Sequence, residues 1–275
     1  MAEPFNMKRY LRPELSLPFC VGCGCVNVMS SFLKAVHELG HADLNKFVLC
    51  SGIGCSAWIP SPYIMADSIH VTHGRSIPVA LGVKLMRPDL NVVVFGGDGD
   101  LAGIGLSHLI HAARRNLDIT VIMVNNMIYG MTGGQVAPTT PHGAKTATTP
   151  YGNFEYPLDT ARLVVTAGAS YVARWTTAHS EQLKEAMKKA LTTRGFAFIE
   201  AASPCLTAFG RRVGFKNVSE MLRWFLDNSL SLEQASKVTE KERLNKIIVG
   251  EYVSREFPTL TDNIYQTLKG TEKIA

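Results

Sequence analysis

Short apolar runs alternate along the chain with longer segments in which apolar residues recur at helical spacing. The runs 91–95 and 119–124 are almost entirely apolar, and 104–115 between them has helical periodicity. Short, continuous apolar runs are typical of parallel strands that are buried on both faces. The middle of the chain is therefore predicted to form a strand, a helix and a second, parallel strand.

The same periodicities extend this alternation in both directions. They predict further strands at 47–50, 171–174 and 196–200, and helices at 27–39, 77–86, 162–167, 180–192 and 219–228. A long loop is predicted for 130–160, and an irregular segment after 228. Alternating strands and helices indicate an α/β fold with a doubly wound parallel sheet. We expect an N-terminal arm over 1–19, one sheet domain over 20–212, and a helical and irregular tail over 213–275 that packs on this domain or on a partner subunit.

The composition fits a globular protein and points away from two classes of partner. With 275 residues, 46% of them hydrophobic, the chain is long enough to bury a substantial core. Its net charge of +5 comes from scattered basic residues, whereas nucleic-acid binding favours a concentrated basic stripe. No apolar run reaches the length of about 18 residues that a transmembrane helix needs. We expect a cytoplasmic protein that binds neither nucleic acid nor a membrane.

A tight glycine turn with two carboxylates follows the strand predicted at 91–95. The turn reads Gly96-Gly97-Asp98-Gly99-Asp100, and Asn126 follows the next predicted strand, 28 residues after Asp98. Because parallel strands end at the same edge of a sheet, we expect the Asp98 and Asn126 side chains to meet there. A carboxylate, an amide oxygen and a neighbouring backbone carbonyl suit Mg²⁺, which shares its remaining positions with phosphate and water. The glycines allow the backbone to approach a phosphate closely.

Cysteines form a second group of candidate ligands. Four of them lie in separate glycine- or proline-containing loops: Cys20, Cys23, Cys55 and Cys205. Four such thiolates are compatible with zinc, with an iron–sulfur cluster or with two disulfides. Zinc sites usually consist of two close pairs, and cytosolic thiols stay reduced, so an iron–sulfur cluster is the favoured interpretation. Cys25 and Cys50 are interpreted as buried structural residues, with Cys25 as the alternative to Cys23.

In their order and spacing, these motifs resemble those of the β subunits of 2-oxoacid:ferredoxin oxidoreductases. The matching segments are Cys20-Val21-Gly22-Cys23-Gly24, Gly52-Ile53-Gly54-Cys55-Ser56, His73-Gly74-Arg75, Gly97-Asp98-Gly99-Asp100, Asn125-Asn126, Tyr129-Gly130-Met131-Thr132-Gly133-Gly134-Gln135 and Ser203-Pro204-Cys205. The run 131–141 and the later Thr149-Pro150-Tyr151-Gly152-Asn153 are similar to the 2-oxoglutarate branch. The resemblance implies a thiamine diphosphate-binding domain of the type that holds the diphosphate.

The resemblance also implies a set of cofactors and contacts. Mg²⁺ would be held by Asp98, Asn126 and the carbonyl of Ile128, and would bridge to the cofactor diphosphate. One 4Fe–4S cluster would be held by Cys20, Cys23, Cys55 and Cys205. Further contacts to thiamine diphosphate are expected from Gly52, Ile53, Gly54, Cys55, Ser56, His73, Gly74, Gly97, Gly99, Asp100, Gly130, Met131 and Thr132. Arg75 is expected to face a carboxylate of the substrate or a phosphate, with an ion pair to Asp67 as the alternative.

The implied reaction is the oxidative decarboxylation of a 2-oxoacid to its acyl-CoA and carbon dioxide, with electrons passing through the cluster to ferredoxin. 2-Oxoglutarate is the expected substrate, with pyruvate or a branched-chain 2-oxoacid as alternatives. Neither Glu155 nor Glu200 suits the glutamate that must polarise the aminopyrimidine ring. We therefore expect an α-type subunit, with γ and δ subunits as further candidates, to supply that glutamate, most of the 2-oxoacid pocket and the coenzyme A site.

Two other functions stay open at this point. One is a thiamine diphosphate decarboxylase or synthase subunit that transfers no electrons. The other is a zinc-stabilised interaction domain without enzymatic activity. The Gly-Asp-Gly turn is compatible with the first function, and the cysteines are compatible with the second. The identity of the bound metal therefore distinguishes both from an iron–sulfur enzyme.

Overall fold

One twisted sheet organises residues 4–271, the part of the chain that the computed structural model describes, with side-chain surroundings described through residue 269. Within this part the sheet has eight strands: β1 Phe47–Ser51, β2 Asp67–His70, β3 Asn91–Gly97, β4 Thr120–Asn125, β5 Tyr171–Thr176, β6 Ala197–Ala202, β7 Ser229–Ser231 and β8 Ile247–Ser254. Their spatial order is β2-β1-β3-β4-β6-β5-β8-β7, and only the β5–β8 pair is antiparallel.

Helices cover both faces of this sheet. In the described part of the chain they are α1 Gly24–Glu38, α2 Ser76–Met86, α3 Leu106–Arg114, α4 Thr160–Ala167, α5 Ser180–Thr192, α6 Val218–Asp227, α7 Leu232–Ser236, α8 Glu240–Arg243 and α9 Leu260–Thr271. Helices α1 and α5 pack on one face, and α2, α3 and α4 on the other. In β3, Val93 and Phe95 face the first layer while Val92 and Val94 face the second. This two-sided burial explains the continuous apolar runs of the sequence.

The predicted fold class is confirmed, and α5 has the predicted bounds. Helix α1 begins three residues earlier than expected, since Cys23 is already its N-cap. The helix predicted over 104–115 is observed as α3, two residues shorter at its start and one at its end, and a π-helical turn over Gly99–Ile104 precedes it. The prediction of an irregular segment after 228 is wrong, because β7, β8 and three helices lie there. Strand β8 pairs with the free edge of β5, a partner far away in sequence.

The long segment between β4 and α4 contains no helix and no strand among its residues, as expected. It is nevertheless tied down by hydrogen bonds. The Thr140 hydroxyl donates to the Met127 carbonyl at 2.6 Å, and the Asn153 side-chain amide donates to the Thr140 carbonyl at 2.9 Å. These bonds hold the segment against the end of β4, where the predicted site lies.

Within residues 4–271, no helix combines the length and the apolar character that crossing a membrane requires.

Candidate cofactor and cluster site

The loops that follow β1, β2, β3 and β4 converge at the carboxyl edge of the sheet. The connection from β1 leads to β2 on one side, and the chain then returns to β3 on the other side of β1. This reversal is a topological switch point, where open α/β sheets bind their ligands. A cavity of about 80 Å³ lies at this edge. It is lined by Ile53, Gly54, Cys55, Ser56, His73, Gly97, Asp98, Gly99, Asp100, Asn126, Ile128, Tyr129, Gly130, Met131 and Thr132.

The lining contains every residue predicted to contact the cofactor except Gly52 and Gly74. These two glycines lie directly behind the cavity, against the Asp100 carboxylate. A Cβ atom at Gly52 would come within 2.3 Å of Asp100 Oδ2, and the Gly74 amide donates to Asp100 Oδ1 at 2.6 Å. Their role is close backbone packing, which only a residue without a side chain allows.

The Asp100 carboxylate joins three of the four loops. In addition to Gly74, its Oδ1 accepts hydrogen bonds from His73 Nδ1 at 2.5 Å and from the Ile53 amide at 3.4 Å. Because Asp100 Oδ1 only accepts, His73 Nδ1 carries the proton and Nε2 is left for a ligand in the cavity. The other oxygen, Oδ2, is buried without a hydrogen-bond partner. The family resemblance implied a contact to thiamine diphosphate for Asp100; the structure adds this side-chain role.

Asp98 begins a buried polar chain that crosses from β3 to β5. The Thr139 hydroxyl contacts Asp98 Oδ2 and lies 2.9 Å from Asn125 Oδ1. The Asn125 amide donates in turn to Glu200 Oε1 at 2.8 Å. Glu200 Oε2 lies 2.9 Å from the Arg174 guanidinium. All five side chains are buried. The sequence did not predict that these four side chains support Asp98, because they come from four separate segments.

Burial raises the pKa of Asp98 to about 7, although hydrogen bonds from Thr139 and from backbone amides oppose this shift. A carboxylate without a positive partner loses hydration in such a place, so its neutral form is favoured. A cation bound at the cavity would restore the ionised form. Desolvation of Asp98 therefore fits a metal ligand better than a structural residue.

Asn126 and Ile128 complete the oxygen donors at the cavity. Asn126 Oδ1 accepts from the Ile128 amide at 3.3 Å, an Asx turn that brings the two residues to the same wall. A carboxylate, an amide oxygen and a main-chain carbonyl form a hard-oxygen donor set that is too small for a complete cage. Mg²⁺ is usually bound by so few protein ligands together with phosphate oxygens. The residues present therefore fit Mg²⁺ carrying a diphosphate.

The six cysteines divide into two groups by exposure. Cys25 and Cys50 are buried, as predicted, whereas the four candidate ligands are half-buried or exposed. The Cys20 loop is docked on the Cys205 segment by a hydrogen bond from the Gly24 amide to the Pro204 carbonyl at 3.2 Å. A Cβ atom at Gly24 would lie 2.0 Å from Ser203 Oγ, so glycine is needed for this docking.

Electrostatic coupling indicates that the four thiols share one space. Burial, together with the smaller effect of the charges of Cys23, Cys205 and Cys20, raises the pKa of Cys55 to about 11. Burial likewise raises the pKa of Cys205, with smaller contributions from Cys23 and Cys20. A hydrogen bond with Cys25 lowers the pKa of Cys23 to about 7. Four mutually repelling thiolates need compensating positive charge, which iron or another metal provides on binding.

Among the described residues, no three cysteine, histidine or acidic side chains converge on a point that one metal ion would occupy. A structural zinc site needs four ligands about 2.3 Å from one atom. A 4Fe–4S cluster instead gives each thiolate its own iron, so its cysteines stand further apart. All six thiols are free of disulfides. The described thiols therefore do not form the compact four-ligand geometry of a structural zinc site.

The cysteine group adjoins the cofactor cavity. Cys55 lines the cavity itself, and a Cβ atom at Gly130 on the opposite wall would lie 3.5 Å from Cys205 Sγ. Arg75 in contrast is exposed, its guanidinium donates to the Gly74 carbonyl at 3.3 Å, and it forms no ion pair with Asp67 in the described structure. Its predicted role toward the substrate stays a prediction.

Comparisons with known proteins agree with this geometry. Residues 52–201 match the family of thiamine pyrophosphate enzymes, C-terminal TPP-binding domain. The chain is 54% identical to the 2-oxoglutarate synthase subunit KorB of Methanothermobacter thermautotrophicus over 93% of this chain and 89% of that protein. It is 48% identical to the same subunit of Methanocaldococcus jannaschii, over 95% of this chain and 96% of that one.

A solved structure gives the same result. The 2-oxoglutarate:ferredoxin oxidoreductase from Magnetococcus marinus, with 2-oxoglutarate, coenzyme A and succinyl-CoA bound, contains a chain that superimposes with a TM-score of 0.85. The two sequences are 32% identical, and the match covers 98% of this chain and 92% of that one.

The switch-point cavity and the matched domain define a thiamine diphosphate-dependent enzyme subunit. Identities of about one half extend beyond that domain along nearly the whole chain. The chain belongs to the β subunits of the 2-oxoacid:ferredoxin oxidoreductases, as the motifs predicted.

Proposed function

We propose that this β subunit takes part in the oxidative decarboxylation of 2-oxoglutarate. Coenzyme A accepts the succinyl group, carbon dioxide leaves, and two electrons pass through a 4Fe–4S cluster to ferredoxin. The observation that carries the proposal is that the Asp98–Asn126 donor set and the four thiols adjoin one another at one sheet edge. When bound, thiamine diphosphate supplies the nucleophilic carbon and the electron sink that decarboxylation needs.

The residues of this chain hold the diphosphate end of the cofactor. Asp98, Asn126 and the Ile128 carbonyl bind Mg²⁺, and the glycine turn after β3 offers backbone amides to the phosphate oxygens. Asp100 fixes the His73 ring at the cavity wall, where Nε2 would be available to the cofactor. The donor types and the buried carboxylate of Asp98, which lacks a positive partner, support this assignment.

The cavity volume supports the need for a partner subunit. About 80 Å³ is far below the roughly 300 Å³ of the smallest pockets that enclose an organic ligand. The apolar side chains of Ile53, Met131 and Ile104 at and near its rim are exposed to solvent. An α-type subunit that covers them encloses the rest of the cofactor and supplies the missing glutamate. Glu200 is unsuitable for that role, because it is engaged with Asn125 and Arg174.

The cluster is assigned to Cys20, Cys23, Cys55 and Cys205. Their mutual electrostatic coupling and the contact between Cys205 and the cavity wall support this assignment. A cluster there lies beside the cofactor and is reached from outside through the exposed Cys20 loop. Ferredoxin would dock on that side.

The substrate is assigned from the relatives and not from the residues of this chain. Two proteins about half identical to this chain are named 2-oxoglutarate synthase subunits, and the solved relative holds 2-oxoglutarate. Other relatives, 40–43% identical over about 70% of the chain, are named for 2-oxoacids in general. Pyruvate and branched-chain 2-oxoacids therefore remain the alternatives to test.

The cluster is tested by metal analysis of the enzyme purified anaerobically with its partner subunits. We expect iron and labile sulfide in equal amounts on this subunit, and broad visible absorbance that bleaches with dithionite. The variant Cys20→Ser should lose this signal, whereas Cys50→Ala, a buried cysteine in β1, should keep it. Zinc without iron would refute the cluster, as would an unchanged iron content in the Cys20 variant.

The reaction is tested separately by anaerobic turnover of the same preparation with a viologen acceptor. We expect coenzyme A-dependent reduction with 2-oxoglutarate, and a kcat/KM at least about tenfold lower with pyruvate and branched-chain 2-oxoacids. Faster turnover of another 2-oxoacid would overturn the substrate assignment. Carbon dioxide release without reduction of the acceptor would favour the non-redox decarboxylase instead.

A further inference from the structure

A second cavity lies beyond the polar chain that supports Asp98. Its volume is about 310 Å³, and it has no lining residue in common with the cofactor cavity. Asn125 and Thr139 form part of its wall, and α8 and the start of β8 close it on the other side. This volume reaches the range of pockets that bind small organic molecules. None of the residues assigned to the cofactor, the metal or the cluster lines it.

Two arginines that line this cavity each have one guanidinium nitrogen without a partner. Arg174 is 7% exposed, and its Nε is buried without a hydrogen-bond acceptor. The Nε of Arg243 in α8 is likewise buried and unpartnered. Both residues line the same cavity. A buried charged donor without an acceptor is costly, and both residues that carry such a donor line one cavity. We therefore look for a ligand with acceptor oxygens there.

The charges at the cavity leave a positive surplus near its mouth. Arg174 is neutralised by Glu200 and by Asp159, whose Oδ1 lies 2.6 Å away. Arg243 has no ion-pair partner among the described residues, and Lys246 Nζ contacts only the neutral Asn228 Oδ1, at 2.9 Å. Arg162 shares Asp159 at 3.4 Å, and Glu240 is the remaining acidic group of the lining. Four basic and three acidic side chains thus line the cavity.

The remaining wall is largely apolar. Leu158, Trp224, Ile247 and Ile248 contribute to it. Inorganic ions gain nothing from such a surface, whereas an organic body of a ligand is removed from water there. The cavity therefore combines cationic side chains that lack an ion-pair partner with a separate apolar surface.

We propose that this cavity binds an organic oxyanion, a carboxylate or a phosphate ester with an apolar body. The oxyanion lies beside Arg243 and Lys246, the two lining cations without an ion-pair partner among the described residues, and accepts hydrogen bonds from their side chains. The apolar body packs on the wall formed by Leu158 and Trp224. The site does not depend on the assigned reaction, since its lining is separate from the cofactor cavity.

Calorimetric titration of the assembled enzyme tests this proposal. The enzyme is saturated with Mg²⁺ and thiamine diphosphate, so that added phosphate groups cannot occupy the diphosphate site. Phenyl phosphate and benzoate share one apolar ring and differ in the oxyanion, and inorganic phosphate lacks the ring. We expect saturable binding of one molecule per β subunit, with the phenyl compounds tighter than inorganic phosphate. Whichever of the two phenyl compounds binds more tightly identifies the oxyanion class.

Matched variants locate the binding. Arg243→Gln and Lys246→Gln should each weaken binding by about tenfold or more, the usual value of one charge-assisted contact. Lys241→Gln removes an exposed charge from the same helix without touching the cavity, and should leave the affinity within about twofold. The proposal is overturned if none of the three probes binds saturably below about 10 mM. It is also overturned if the Arg243 and Lys241 variants bind alike.

Discussion

Thr139 is the direct neighbour of the predicted metal ligand Asp98, and replacing it by valine isolates one hydrogen bond. Its hydroxyl has one proton but contacts two acceptors, Asp98 Oδ2 and Asn125 Oδ1. The Asn125 side chain cannot be turned around, because its oxygen accepts from the Met127 amide and its nitrogen donates to Glu200. Without a metal, a protonated Asp98 can donate to Thr139; with Mg²⁺ bound, Asp98 is ionised and Thr139 donates to it.

The expected magnitude follows from this exchange. A hydrogen bond to an ionised group contributes about 1.5–3 kcal/mol, and each 1.4 kcal/mol is about tenfold in affinity. Valine keeps the shape of threonine at this buried position, so the packing is retained while Asp98 loses its donor. Valine also removes the hydrogen bond of about 1 kcal/mol that the protonated Asp98 makes without a metal, so only the difference of about 0.5–2 kcal/mol affects the metal. Thr139→Val should therefore raise the Mg²⁺ concentration that half-saturates thiamine diphosphate binding by roughly 2- to 30-fold. Thr139→Ser keeps the hydroxyl and should change it by less than about twofold.

The assay is a fluorescence or calorimetric titration of the assembled enzyme with Mg²⁺ at saturating thiamine diphosphate. Thermal unfolding of each variant without cofactor serves as the control for folding. If Thr139→Val and Thr139→Ser need the same Mg²⁺ concentration as the wild type, Thr139 does not support the metal ligand, and the assignment of Asp98 is in doubt.

Three further outcomes follow from the same geometry. Gly52→Ala places a methyl group against the Asp100 carboxylate and should lower the free energy of unfolding by about 1–3 kcal/mol. Gly82→Ala, at an open position inside α2, should raise the free energy of unfolding by up to about 1 kcal/mol. Equal melting temperatures of the two variants would contradict both expectations. The folded-state pKa of Asp98 lies above its unfolded value. The contribution of protonated Asp98 to the free energy of unfolding of the cofactor-free protein is therefore lost as the pH rises toward about 7. Mg²⁺ must displace that proton, so its affinity should rise by up to about tenfold per pH unit below 7 and level off above, as titrations at several pH values will test. Removal of Mg²⁺ with a chelator should release thiamine diphosphate, measured by gel filtration; retention of the cofactor would argue against a metal bridge.

The site residues predicted from the sequence lie in short motifs directly after buried strands. Asp98 and Asn126 were identified because β3 and β4 are apolar on both faces and are adjacent and parallel, with Gly97 opposite Val124. The loops after such strands necessarily open at one edge. Most of the other residues that line the cofactor cavity were expected from the family resemblance, and Tyr129 is the one lining residue that was not named as a cofactor contact.

The support behind these residues was not predictable in the same way. Thr139, Glu200 and Arg174 come from a loop and from two strands, and no spacing along the chain connects them to Asp98. Strand β8 was likewise missed, because only its first half is buried and its partner β5 lies more than 70 residues earlier.

Local periodicity and glycine turns thus specify the strands, their ends and the ligands carried there, since each depends on neighbours within a few residues. The buried polar chain, the second cavity and the added sheet edge arise only when distant segments are packed together. Burial then decides which polar side chains must find partners, and Arg174 and Arg243 acquire their unfilled Nε–H groups only through that packing.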